Sequence, residues 1–179
     1  MSQNDYVKIA VQTFFLEQKQ PFKDLNVQAV SGFRILQMPE FKVEFYLYLF
    51  NLVGETWGWT GSLLLSETEL QAKLERNKVF VAYLNAAPVG FFELEPKNSD
   101  ELEILYFGLI PETTGRGLGR ILMQSVFDFA EEQNTSTLSL HTCIYDSPSA
   151  RAFYNKSGFK FVKESLEETF YTEKFLEKI

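Results

Sequence analysis

"IPETTGRGLGRILM", residues 110–123, sets Gly115, Gly117 and Gly119 at alternate positions directly ahead of an amphipathic run. Glycine loses more chain entropy on folding than any other residue, so such a run marks a backbone that must approach something closely. The start of a helix leaves its leading N–H groups without partners, which makes it a natural anion site. Two common phosphate motifs do not fit. A triphosphate-binding loop needs Gly-Lys-Ser/Thr, whereas Gly119 is followed by Arg120 and Ile121. A dinucleotide turn needs G-x-G-x-x-G, and here the glycines are spaced two apart throughout. What remains is a strand, a glycine loop and a helix N-terminus suited to a pyrophosphate.

Outward from this stretch, the chain reads as one folded domain. It has 179 residues, 45% of them hydrophobic, including 18 phenylalanines, which is enough for a substantial core. The net charge of −7, without a basic stripe, argues against nucleic acid and anionic membrane as partners. The single cysteine, Cys143, predicts no intrachain disulfide and a reducing compartment. "MSQNDYVKIAVQ" lacks the pattern of a secretory signal, and the greasiest stretch, residues 41–54, is too short to span a bilayer. A soluble, cytoplasmic protein is expected.

"DYVKIAVQTFFLEQ" has helical spacing, and residues 1–30 are expected to form a helical extension closed at Pro21. "GFRILQM" reads as a strand ending before Pro39, followed by a helix over 41–53 and a Trp-rich turn. Ser66 with Glu69 has the pattern of a capping box. "KVFVAYL", "APVGFFELEP" and "DELEILYFGLI" read as a three-strand meander. After the glycine loop come a helix carrying Leu118, Leu122 and Phe129 on one stripe, the strand "TLSLHTC", and a short helix with Ser147 as N-cap and Gly158 as its stop. "FKFVKESLEE" and "TFYTEKF" are expected as two closing strands. The sum is an α+β, three-layer domain.

Over roughly residues 30–179 the sequence resembles the GNAT superfamily of acetyl-CoA-dependent N-acetyltransferases. Gly117-Leu118-Gly119 fill the end of that family's Q/R-x-x-G-x-G/A loop, and Ala150, Tyr154, Gly158 and Phe159 match its N-x-x-A-x-x-x-Y-x-x-x-G-F segment. Two positions depart: Thr114 stands where the loop has Gln or Arg, and Ser147 where the helix has Asn. The resemblance implies a mixed, mostly antiparallel sheet of about seven strands, with the fourth and fifth splayed apart. It implies acetyl-CoA as co-substrate, held by Leu109, Ile110, Thr114, Gly115, Arg116, Gly117, Leu118, Gly119, Arg120, Ser147, Ala150 and Tyr154.

The same resemblance implies transfer of the acetyl group to an amine by direct attack through a tetrahedral intermediate. An ammonium must first lose a proton, and Glu103 occupies the position of the family's general base; burial among aromatics is expected to raise its pKa. Glu95 and Glu101 are rival carboxylates. Tyr154 would protonate the departing thiolate. Trp57, Trp59, Tyr106 and His141 are candidates for the acceptor site, His141 also as an aid to proton removal. Gly108 within "YFGLI" predicts a bulge or a close backbone approach. No metal is expected, since one His and one Cys make no zinc site. The acceptor would be a small-molecule or peptide amine, and the protein a monomer or homodimer. Two other readings stand beside this one: a non-catalytic acyl-CoA sensor or scaffold, and an enzyme using Cys143 as nucleophile.

Overall fold

The computed structural model describes residues 6–38, 40 and 42–179. The expected strand stop at Pro39 and helix start at Phe41 lie outside them. Among the described residues, seven strands form one sheet: β1 (Tyr6–Lys19), β2 (Phe33–Gln37), β3 (Lys78–Leu84), β4 (Ala87–Pro96), β5 (Glu101–Leu109), β6 (Thr137–Cys143) and β7 (Lys160–Thr172). Their spatial order is β2-β3-β4-β5-β6-β1-β7. Only β5 and β6 run parallel; every other neighbouring pair is antiparallel. Among the described residues, five α-helices flank the sheet: α1 (Val43–Gly54), α2 (Glu67–Arg76), α3 (Leu118–Glu132), α4 (Ala150–Lys156) and α5 (Glu173–Leu176).

The N-terminal segment departs from expectation. Tyr6–Lys19 is a strand, not a helix, and it lies inside the sheet between β6 and β7. Being interior, β1 buries both faces: Val11 and Thr13 on one, Phe14 and Leu16 on the other. The register shift opposite Phe15 and Leu16 falls in β7, where Val162 is the extra residue, so β1 itself keeps its period of two. Double-sided burial erases the alternation that marks a strand in sequence, and the remaining apolar spacing imitates a helix. At the other end, the two expected closing strands are one continuous β7, after which Thr172 caps α5 by accepting from the Phe175 N–H at 3.2 Å.

Two cores meet across the sheet. Phe92 and Leu94 of β4 pack with Leu122, Val126, Leu138 and Leu140 beneath α3, while Phe91 joins Tyr46, Phe50, Leu70 and Val79 beneath α1 and α2. Adjacent Phe91 and Phe92 are thus both fully buried on opposite faces, each stabilising the fold by roughly 2–3 kcal/mol. The expected capping box is present at α2: Ser66 Oγ accepts from the Glu69 N–H, and Glu69 accepts from the Ser66 N–H at 2.8 Å.

One charge lies wholly inside. The Glu93 side chain has no exposure, and its carboxylate is met by Lys73 Nζ at 3.0 Å, Tyr46 Oη at 2.5 Å and Asn77 Nδ2 at 2.5 Å. Lys73 also donates to Ser62 Oγ at 2.9 Å and lies over the Tyr106 ring at 4.8 Å, tying α2 to β4 and β5. Desolvation, only partly offset by Glu93, lowers the Lys73 pKa, and the Tyr46 phenol is pushed well above its ordinary range by burial and then by the Glu93 charge. Substituting Lys73→Met leaves Glu93 without its cation and is expected to lower unfolding free energy by about 3 kcal/mol, read from urea denaturation at neutral pH.

Candidate active site

Strands β5 and β6 are paired only from Glu101↔Thr137 to Ile104↔Leu140. Beyond that point β5 stays with β4 as far as Leu109, while β6 stays with β1 as far as Cys143. A cleft of about 840 Å³ opens in the resulting gap. The expected splay of the family's fourth and fifth strands is therefore present, as β5 and β6 of this chain. Its origin is visible in the register: Glu93 faces Tyr106 but Leu94 faces Ile104, so Leu105 is an extra residue in β5. That bulge resets the alternation. Glu103 and Tyr106 consequently share one face, with α1, while Ile104 and Phe107 share the other, with α3 and α4. The bulge lies at Leu105 and not at Gly108. Gly108 serves close approach instead, since a Cβ there would meet Val53 Cγ1 at 2.5 Å.

The glycine loop forms the floor of one end. A 3-10 turn over Pro111–Thr113 precedes it, and the Thr114 hydroxyl closes that turn by donating to the Pro111 carbonyl at 2.8 Å. Gly115 and Gly117 have φ of +73° and +79°, which only glycine adopts without strain, and Gly117 is the N-cap of α3. A Cβ on either would meet nothing within 4 Å, so the loop faces open space. The amides at the start of α3 have no intrahelical acceptor. Thr114, Gly115, Gly117, Gly119 and Arg120 line the cleft, and Arg120 is steadied by donating to the Leu25 carbonyl.

Two of the expected cofactor contacts lie outside the cleft lining, and the side chain of a third is turned into the core. Leu118 is buried in the core under α3, and Arg116 is exposed outside the cleft wall. Ile110 donates its N–H to Val89 at 2.8 Å and so belongs to β4. Because backbone groups alternate along a strand, those of Leu109 and Phe107 turn away from β4 toward the gap. On the opposite wall, Ser147, Ser149, Ala150, Phe153 and Tyr154 face the cleft. The N-cap of α4 is Ser149 rather than Ser147; Ser147 instead forms the preceding turn, accepting from the Ala150 N–H at 2.8 Å. Tyr154 packs against Phe107, Phe153 and Phe159, and burial followed by the Asp146 charge pushes its phenol well above the ordinary value.

Glu103 and His141 meet at the centre. Glu103 Oε1 lies 2.9 Å from His141 Nδ1, and Glu103 Oε2 lies 3.0 Å from Lys97 Nζ. These partners reverse the expected shift. The hydrogen bond from His141, joined by that from Lys97, outweighs burial and holds the Glu103 carboxyl below its ordinary value. His141 is correspondingly raised, first by the hydrogen bond to Glu103, against desolvation. A carboxylate accepts at Nδ1, so Nε2 is the ring nitrogen left for other partners. The rival carboxylates are engaged away from the cleft: Glu101 with Ser139 Oγ at 2.7 Å, and Glu95 with Arg76 and with Lys97.

Trp57, Trp59 and Tyr106 all line the cleft, with the Trp59 and Tyr106 rings 5.1 Å apart. Asp146, which sequence reasoning missed, also lies there. It accepts from Thr142 Oγ1 at 2.7 Å, the Cys143 N–H at 2.9 Å and Trp59 Nε1 at 3.3 Å, clamping the Trp-rich turn to the end of β6. Its signal was an Asp three residues past the end of a strand, in the turn-rich "YDSPS", where Asp side chains commonly bond nearby backbone. Thr13 and Phe15 of β1 and Glu167 of β7 complete the wall, and were hidden by the misreading of both segments. Cys143 lines the cleft too, but burial and then the Asp146 charge push its thiol up, away from the thiolate a nucleophile needs. Among the described residues, no group of three or more His, Cys, Asp or Glu is placed to hold a metal ion, and no helix is long and apolar enough to cross a membrane.

The site is thus a glycine-floored cleft between two splayed parallel strands. The sequence model of the acetyltransferase (GNAT) family matches residues 44–159, and the chain belongs to that family of acyltransferases. The fold is similar to a GNAT-family protein from Novosphingobium aromaticivorans, 14% identical over 97% of this chain and 70% of the other, with a TM-score of 0.67. It is also similar to a GCN5-related N-acetyltransferase from Kribbella flavida, 12% identical over 93% of this chain, with a TM-score of 0.63; the chain spans 60% of that protein's length. A GNAT family acetyltransferase from Elizabethkingia anophelis, solved with acetyl-CoA bound, is 16% identical over 80% of this chain and 98% of its own, with a TM-score of 0.58.

The Glu103–His141 pair has a bounded pH window. Glu103 is depressed from 4.5, so its contribution is present above that value and lost as pH falls through its folded-state pKa. His141 is raised from 6.5, so its contribution is present below that value and lost as pH rises through its own folded-state pKa. NMR titration of the imidazole is expected to give a pKa above 6.5 that falls toward 6.5 in Glu103→Gln. The stability difference between wild type and that variant should shrink at both edges of the window.

Proposed function

We propose that the chain is an N-acetyltransferase that moves an acetyl group from acetyl-CoA to an amine by direct attack, within one acyl-CoA N-acyltransferase domain that includes β1. The observation that carries this reading is the 2.9 Å contact between Glu103 and His141 inside a cleft whose far end is a glycine loop. The loop fits a pyrophosphate. Its two positive-φ glycines leave open space above the backbone, and the leading amides of α3 and the Arg120 guanidinium bound that space. Backbone groups of Phe107 and Leu109 are turned to accept an extended amide-bearing arm as an added strand. Thr114 and Ser147 add hydroxyls at the rim, in place of the Gln/Arg and Asn of the family pattern.

The proton inventory assigns the roles. Glu103, held anionic by two cationic or donor partners, is a weak base; His141 is the stronger one, and Glu103 orients and stabilises its imidazolium. The acceptor ammonium gives a proton to His141 Nε2, and the freed amine attacks the thioester carbonyl. A backbone N–H of β5 steadies the oxyanion of the tetrahedral intermediate. The C–S bond then breaks. Tyr154, whose raised pKa keeps its proton at neutral pH, protonates the sulfur, and the second proton of the attacking nitrogen passes to the Tyr154 oxygen. The amide and free CoA leave, and His141 returns its proton to solvent. Trp57, Trp59 and Tyr106, with the Asp146 and Glu167 carboxylates nearby, suit a cationic small-molecule or peptide amine. The lone Cys143 fits a reducing, cytoplasmic setting.

Release of CoA thiol from acetyl-CoA over a panel of amines tests the proposal. His141→Ala is expected to lower kcat/KM by about 100-fold or more. The kcat/KM profile should rise through a pKa above the ordinary histidine value, and Glu103→Gln should move that limb to lower pH. Cys143→Ala should remain active, which would end the nucleophile reading. Binding of acetyl-CoA without turnover on any amine would replace the enzyme by the sensor. Gly117→Ala, forced into a left-handed conformation, is expected to cost about 1 kcal/mol of stability and to weaken CoA binding, measured by calorimetry.

A further inference from the structure

Strand β7 is the outer strand of the sheet, with β1 on one side and no strand on the other among the described residues. Its thirteen residues contain no proline, and of its backbone groups the Phe170 carbonyl, near the end, accepts from Thr60 Oγ1. Native proteins usually blunt such edges with short strands, proline or charge, or else cover them. The side chains here do the opposite on one face. Leu166 stands in register with Gln12, Phe170 with Lys8 and Phe161 with Leu16, all on the face of α3 and α4 but beyond the cover of either helix. Leu166 is 71% exposed and Phe161 56%. Ile144, whose N–H donates to the Gln12 carbonyl at 3.2 Å, extends the patch across the end of β6 and is 50% exposed. Exposed apolar groups gathered at one corner mark a contact surface, unlike the same residues scattered singly.

Charge selects the partner. The first half of β7 carries Lys160, Lys163 and Glu164, and the second half carries Glu167 and Glu168. A strand with this polarity is complementary to itself when two copies run antiparallel. We infer that β7 pairs with β7 of a second copy of this chain about a two-fold axis near Ser165, joining two seven-stranded sheets into one. Antiparallel partners directly opposite share a face, and pairing about Ser165 sets Lys163 of one copy against Glu167 of the other, both on the cleft face. The same pairing brings the two Leu166 patches together on the opposite face. Because Glu167, Thr169 and Tyr171 line the cleft, the second copy would continue that wall.

Analytical ultracentrifugation of the full chain at micromolar concentration tests this inference independently of any acyl transfer. Wild type should sediment at twice the chain mass. Leu166→Lys and Lys163→Glu should each raise the dimer dissociation constant by about tenfold or more, with unchanged far-UV circular dichroism. The charge exchange K163E/E167K restores the opposite pairing across the two-fold axis and should recover the dimer. A wild-type monomer would overturn the inference. So would a dimer whose dissociation constant is unmoved by Leu166→Lys, or one that Lys163→Glu weakens and the exchange does not rescue.

Discussion

A strand can leave its neighbour only if something else satisfies the backbone groups it exposes, and this constraint governs the whole molecule. β6 separates from β5 after Leu140, yet it stays ordered to Cys143 because β1 pairs with it from Thr13 to Lys19. β5 does likewise by staying on β4 through a one-residue bulge. The gap therefore costs little unpaired backbone at its edges, and its inner rim keeps donors and acceptors for a ligand. Everything functional hangs on that opening. The glycine loop lies at its far end, the aromatic turn crosses its near end, and Glu103 and His141 meet where the two strands part.

Two ion pairs in this protein illustrate opposite uses of burial. Glu93 and Lys73 sit under α2 with no solvent at the carboxylate, which is met by three side chains, Lys73, Tyr46 and Asn77. That arrangement fixes the packing of α2 on the sheet and props Tyr106 from behind. Glu103 lies only one strand away but opens to a cleft, and its partners include the one histidine of the chain. Partial exposure leaves His141 able to exchange its proton, so the same chemistry that anchors a helix in one place offers a titratable pair in the other.

Legibility followed burial pattern. The central meander was readable because β3 to β5 are short, turn-bounded runs, and the capping box at Ser66 was readable because its partners are three residues apart. The loop and the Ala150/Tyr154 helix face were readable because their spacing is local. β1 was misread because an interior strand shows apolar residues on both faces. β7 was divided because its exposed edge carries charges that resemble a turn. Leu118 and Ile110 fell inside a motif, but one side chain faces the core and one amide faces β4, which no motif encodes.

By itself the sequence determined the local devices: where glycine is needed, the capping box at Ser66, which residues could titrate. Those depend on chemistry within a few positions of the chain. The tertiary structure alone decided which strand lies beside β6, that the extra residue in β5 is Leu105, and that Glu103 is held down in pKa rather than raised. Each of these rests on residues far apart in sequence: Thr13 beside Cys143, Glu93 beside Tyr106, Glu103 beside Lys97 and His141. The sign of a pKa shift, like the place of a strand, is set by whichever distant group arrives to meet it.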